Sequence, residues 1–192
     1  MNTTLKLPKS LLILSLTSLF LVGCGGGSGT STPTVASFEL LDPNAAANNG
    51  FGYITRTLAN GNIVVANPLD DTVATNAGAV HLYNPFTKTV IASFYGDTAN
   101  DLLGNTSVTA LGNNNFVIAS RYDDVNGVTD AGSIRQIDTT GTQVSIITGA
   151  ATNDMSAISV TDASTHNFYV VSLAYFDNNS MTDSGFATVV AY

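Results

Sequence analysis

The chain has 192 residues, with fourteen Asp and Glu against six Lys and Arg and a formal net charge of −8. Its single cysteine excludes an intrachain disulfide. Its few, scattered cations exclude the basic patch that a nucleic-acid backbone or an anionic lipid surface requires.

Lys6 and Lys9 precede an uncharged, Leu-rich run from Leu11 to Val22. A positive start followed by such a run is the pattern of a signal peptide, and the run is shorter than the roughly 20 residues that span a bilayer. It ends in Leu21-Val22-Gly23-Cys24, which resembles the bacterial lipobox. The resemblance implies that residues 1–23 are removed and that the Cys24 thiol carries diacylglycerol, anchoring the protein to a membrane through lipid. Gly25 stands where an aspartate would favour retention at the inner membrane, so the implied address is the bacterial cell envelope, at the outer membrane. Residues 24–34 are almost entirely Gly, Ser and Thr and read as a flexible tether. Residues 35–192 then form one domain. Four cations remain there, Arg56, Lys88, Arg121 and Arg135, against fourteen carboxylates, formally −10 without the leader.

An internal repeat organises this domain. Asn62-Ile-Val-Val-Ala66 recurs as Asn115-Phe-Val-Ile-Ala119 and as Asn167-Phe-Tyr-Val-Val171. Ala77-Gly78-Ala79-Val80 recurs as Ala131-Gly132-Ser133-Ile134 and as Ser184-Gly185-Phe186-Ala187. Gly96-Asp97-Thr98-Ala99-Asn100-Asp101 recurs as Gly149-Ala150-Ala151-Thr152-Asn153-Asp154, and all the offsets lie between 52 and 54. Within the middle copy the residues predict strand A at Val108–Leu111, B at Phe116–Ser120, C at Gly132–Ile137 and D at Gln143–Thr148. Strand B is apolar without alternation, which predicts burial on both faces. No segment after the leader has helical periodicity, so the expected class is all-β, with three four-stranded repeats.

The third copy stops at Tyr192, after strand C. The domain opens on Val35–Leu41, whose Ala36-Ser37-Phe38 matches Ala92-Ser93-Phe94 of a strand D. This phase predicts a propeller-like domain closed by the N-terminal strand, with Ala36–Leu41 pairing beside the strand C at Phe186–Ala191. Two assemblies satisfy it equally: a closed monomer, or a head-to-tail dimer that exchanges the strand.

Phe51-Gly52, Asn62-Ile-Val-Val-Ala-Asn-Pro68 and Gly78-Ala-Val-His-Leu-Tyr83 together resemble the FG-GAP repeat of integrin-type propellers. They are still more similar to the repeats of large bacterial adhesins of the filamentous-haemagglutinin type. The resemblance implies four-stranded blades and a binding or adhesive role rather than catalysis. Three blades fall below the 4–8 typical of propellers. Integrin-type repeats often bind calcium in the A–B loop, but the equivalents here are Asn60-Gly61, Asn113-Asn114 and Thr165-His166, without a carboxylate.

The B–C loops offer oxygen ligands at both ends: Asp71 and Asn76, Asp124 and Asp130, Asp177 and Asp183. A hard cation such as calcium needs several such oxygens. The same residue types also close turns by bonding their own backbone, which is the expectation here. Asn60-Gly61 suits a two-residue hairpin turn with φ > 0 at both positions. Gly78, Gly132 and Gly185 are expected to serve backbone geometry at the start of strand C. Asp183-Ser184-Gly185 has the form of an aspartic-protease signature, but its equivalents Asn76-Ala77-Gly78 and Asp130-Ala131-Gly132 lack the hydroxyl. His81 and His166 occupy different repeat positions, and no nucleophile elbow, phosphate loop, dinucleotide fingerprint or zinc spacing is present. No catalytic residue or cofactor is therefore expected. The expected function is a non-enzymatic, lipid-anchored module that binds a protein or a glycan. The alternatives are a structural or scaffolding lipoprotein of the outer membrane, and a glycan-binding or hydrolase module.

Overall fold

The computed structural model describes residues 37–177 and 181–192. The leader, Cys24, the tether and Ala36 lie outside them. β1 (Ile54–Thr57), β2 (Ile63–Asn67), β3 (Ala79–Asn84) and β4 (Thr89–Tyr95) form the first sheet. β5 (Ser107–Ala110), β6 (Phe116–Ser120), β7 (Ser133–Ile137) and β8 (Gln143–Thr148) form the second. β9 (Ile158–Ala163), β10 (Phe168–Leu173) and β11 (Phe186–Ala191) form the third. Every sheet is an antiparallel meander in which each strand pairs with the next along the chain. Short runs of β-branched and aromatic residues, broken by Gly, Asn and Asp, form strands for the reason that marked them in the sequence: they fit a pleated, half-buried surface. Strands B and D of the middle copy begin and end where the residues predict, and the third copy does stop one strand short.

The sheets stack. Val64, Ala66, Val80 and Leu82 of the first sheet pack on Val108, Phe116, Ile118 and Ile137 of the second. The other face of the second sheet, with Val117, Ala119 and Ile134, packs on Tyr169, Val171 and Leu173 of the third. β6 thus contributes to both cores and is buried throughout, as its unbroken apolar run predicts. Leu103 and Met155, from the connections between sheets, are buried in the first and second core respectively. The sheets touch chiefly through their first strands, β1 against β5 and β5 against β9.

One strand departs from the repeat. The sequence match sets Phe168 and Val170 on Phe116 and Ile118, which face the preceding sheet. Tyr169, Val171 and Leu173 face it instead. The cause is the hairpin. Leu111 and Asn115 bracket three residues in the second sheet, whereas Ala163 pairs with Phe168 across four, Ser164–His166 in a 3-10 turn and Asn167 in the left-handed region. A one-residue slip exchanges the two faces of a strand. Burial of Tyr169, Val171 and Leu173 outweighs the aligned motif.

The expected closure does not form. Residues 37–41 make no strand, and among the described residues Phe186–Ala191 pairs only with Phe168–Leu173. The three sheets do not join into a ring. The segment after Ser37 is instead held to the first sheet: the Tyr83 hydroxyl donates to the Leu41 carbonyl at 2.8 Å, and the Asn44 amide donates to the Tyr95 hydroxyl at 2.8 Å. These bonds, with the Phe51 ring 6.2 Å from that of Tyr83, cover the outer face of the first sheet. The hairpin at Asn60-Gly61 also differs from expectation. Gly61 alone has positive φ, 88°, and its N–H donates to the Leu58 carbonyl, so the loop has three residues rather than two.

Candidate functional site

The B–C loop residues proposed as oxygen ligands close their own loops. The Asn76 N–H donates to Asp71 at 2.7 Å, that of Asp130 to Asp124 at 2.9 Å and that of Asp183 to Asp177 at 2.8 Å. Each pair thus comes together, but as a carboxylate capping a backbone amide that the strand ladder does not use. Gly78, Gly132 and Gly185, with φ of 79°, 84° and 77°, follow two residues later. A side chain at Gly78 would collide with the backbone of Leu102 and Leu103.

Beneath these loops lie polar groups at equivalent positions in successive sheets. The N–H groups of Gly78, Gly132 and Gly185 donate to the carbonyls of Asp70, Asp123 and Phe176, which makes those three residues equivalent. Three positions after each glycine stand His81, Arg135 and Thr188. In the second sheet the buried Asp123 carboxylate takes both oxygens to the Arg135 guanidinium, at 2.7 and 3.0 Å, and also accepts the Ser133 hydroxyl. In the third sheet the position is apolar, with the Phe176 and Phe186 rings 5.3 Å apart.

The first sheet differs from both. Asp70 lies with Asp42 and His81, and one oxygen from each carboxylate and one imidazole nitrogen all fall within 4.8 Å of one another. Asn67, on the edge of the cluster, donates from its amide nitrogen to Asp42 and to Asp70, both at 3.1 Å. The Asn49 amide also donates to Asp42, at 2.7 Å. His81 is fully buried; its Nδ1 is bonded to the Ser93 hydroxyl at 2.8 Å, while Nε2 is buried with no partner. Burial lowers the His81 pKa, against the opposing pull of Asp42 and Asp70. Burial likewise pushes the Tyr83 phenol up to about 12, with Asp42 and Tyr95 adding to it.

No family model matches the chain, and no curated protein does. The reading of the site therefore rests on its geometry.

A second group of carboxylates, Asp97, Asp101 and Asp123, is explained by its protein partners. Asp101 accepts the N–H groups of Asp97, Thr98 and Asp124 and the Thr98 hydroxyl. Asp123 is neutralised by Arg135 and also accepts the Ser133 hydroxyl. Asp97, largely exposed, has its pKa raised, first by partial desolvation and then by Asp101 and Asp123.

The Asp42–Asp70–His81 cluster escaped the sequence reading because its members come from the N-terminal segment, a loop and the middle of a strand. One signal was available. Asn67 and His81 are polar residues in the two central strands of a sheet, flanked along the chain by Ala66 and by Val80 and Leu82. Polar side chains are buried at such positions only with partners.

Proposed function

We propose that the protein is a non-enzymatic binding or adhesion module of the bacterial cell envelope. Lipid on Cys24 holds it at the outer membrane, and its β domain receives a protein partner on the third sheet. The far side of that sheet, uncovered among the described residues, carries this reading. The second sheet has both faces packed, the first has its outer face covered by the N-terminal segment, and each has four strands. The third has three, and its far face presents Val170, Ala187 and Val189, the last 62% exposed. A partner that adds a strand to the edge of β11, unpaired among the described residues, would extend the sheet to four strands, a recurring mode of recognition. Exposed, unpaired edges are otherwise a liability that proteins cover.

We also read the three sheets as consecutive blades of a propeller-like stack. Their common repeat, their meander order and the contact of successive first strands support it. The open face leaves room for further layers, whether from a partner or from a second copy.

Protease treatment of intact cells tests the display, and adhesion of cells to protein-coated surfaces tests the binding. The domain should be degraded on intact cells. Val189→Asp should abolish adhesion while leaving the melting temperature of the protein unchanged. A domain spared until the outer membrane is opened would overturn surface display in favour of a scaffolding role inside the envelope. Adhesion undiminished in Val189→Asp would overturn the docking face.

A further inference from the structure

Equivalent positions in the three sheets carry unequal charge. In the second sheet the buried carboxylate Asp123 is neutralised by Arg135. In the third, Phe176 and Thr188 carry no charge at either position. In the first, Asp70 faces His81 where the cation would stand, and a second carboxylate, Asp42, is added from the N-terminal segment. Asp70 is 1% exposed and Asn67 and His81 are fully buried, so water does little to screen Asp70, while Asp42 is half-buried beside it. Buried charges persist when they are paired or coordinate a metal.

We infer that Asp42, Asp70 and His81 bind a divalent transition-metal ion, of which zinc is the type. His81 Nε2 is the nitrogen left free for it, since Nδ1 is bonded to Ser93. A ligating imidazole commonly donates its other N–H to a neighbouring oxygen, which sets the tautomer, and the Ser93 hydroxyl provides that oxygen. Asn67 and Asn49 orient the carboxylates by donating to them. Asp42 accepts three hydrogen bonds and Asp70 two; with about four lone-pair sites per carboxylate, each retains a site for an ion. A nitrogen with two carboxylates selects zinc and its neighbours over calcium and magnesium, which take oxygen ligands. The ion would tie the N-terminal segment to the first sheet, so metal binding and the order of residues 38–51 are coupled. Asp42 and Asp70 also cap backbone amides, of Asn44 and Thr72, but unlike the B–C loop carboxylates they stand beside a buried imidazole nitrogen with no partner, and the site does not depend on the partner of the third sheet.

The chain has only two histidines, so nitrogen-15 spectra of the full, histidine-labelled chain can report on each. After chelation, zinc is added to one equivalent. The His81 Nε2 resonance should move to its metal-bound position while both nitrogens of His166 stay in place. The melting temperature should rise with zinc and not with an equal concentration of calcium. Asp42→Asn, which keeps the shape of the side chain, should weaken zinc at least ~10-fold, and His81→Gln should remove stoichiometric binding. If His81→Gln does not fold, the Asp42→Asn affinity and the wild-type spectrum decide. An unmoved His81 resonance, zinc affinity unchanged in Asp42→Asn, or calcium binding in place of zinc would overturn the site.

Discussion

Asp101 accepts the backbone N–H of Asp124 at 3.4 Å, joining the turn that leaves the first sheet to the loop that opens in the second. Asp154 does the same for Asp177 at 3.3 Å, one repeat later. Both carboxylates are buried and also cap amides of their own turns, at Asp97 and Thr98 in one copy and at Ala150 and Ala151 in the next. Successive sheets are thus connected by hydrogen bonds to charge as well as by apolar packing.

Asp101→Ala should destabilise the domain by about 2–3 kcal/mol, because it leaves three backbone amides and the Thr98 hydroxyl without their charged acceptor. Asp101→Asn, which retains an acceptor, should cost less. Urea unfolding of the two variants checks the order, and equal losses would show that the hydrogen bonds to Asp124 and to the turn carry no specific weight.

The face exchange in β10 has a direct consequence. Val171→Ala empties a packed site between the second and third sheets and should cost about 2 kcal/mol. Val170→Ala, on the open face, should change stability by less than about 0.5 kcal/mol. The repeat alignment predicts the reverse order, since Val170 aligns with the buried Ile118. Chemical denaturation of the two variants therefore tests the register itself.

Gly96 has an ordinary φ but no room for a side chain. A Cβ there would meet the Ala77 carbonyl oxygen and, at 2.9 Å, the Asp101 side chain. Backbone cannot yield as a flexible side chain does, so Gly96→Ala should cost on the order of 2–3 kcal/mol. Gly127 supplies the control: its φ is positive, 80°, but nothing lies within 4 Å. Gly127→Asn should be nearly neutral, since asparagine tolerates this conformation. Thermal unfolding distinguishes the pair.

Asp97 gives a pH dependence of definite sign. Its pKa is raised in the folded protein above the ordinary 3.8, through partial desolvation and then the nearby Asp101 and Asp123. The folded state therefore holds this proton more tightly than the unfolded chain does. The group costs no stability below the unfolded pKa, and a cost develops as pH rises through the window up to the folded pKa. Asp97→Asn should raise the melting temperature near pH ~7, and the gain should vanish near pH ~3. A gain of equal size at both pH values would assign the effect to hydrogen bonding rather than to charge.

The sequence by itself determined the local structure of the domain. Runs such as Phe116–Ser120 and Gln143–Thr148, the glycines before each third strand and the Asp and Asn residues at loop ends are set by contacts within about ten residues. Period, turn chemistry and β-propensity report such contacts directly. The lack of a strand D in the third copy was legible for the same reason, but the N-terminal strand expected to complete that sheet does not pair there.

Only the tertiary structure decided which way β10 faces, where the N-terminal segment lies and which carboxylates meet. The motif Asn167-Phe168 repeats Asn115-Phe116, yet one added hairpin residue and the burial available to Tyr169 and Leu173 reverse the strand. Ala36-Ser37-Phe38 matches a fourth strand, yet residues 38–51 settle on the first sheet, where Tyr83, Tyr95 and Asn67 offer partners. Asp42 and His81 are 39 positions apart and belong to no common motif. Their meeting depends on how a segment without regular structure packs against a sheet face, and that is settled by long-range burial and charge rather than by any pattern along the chain.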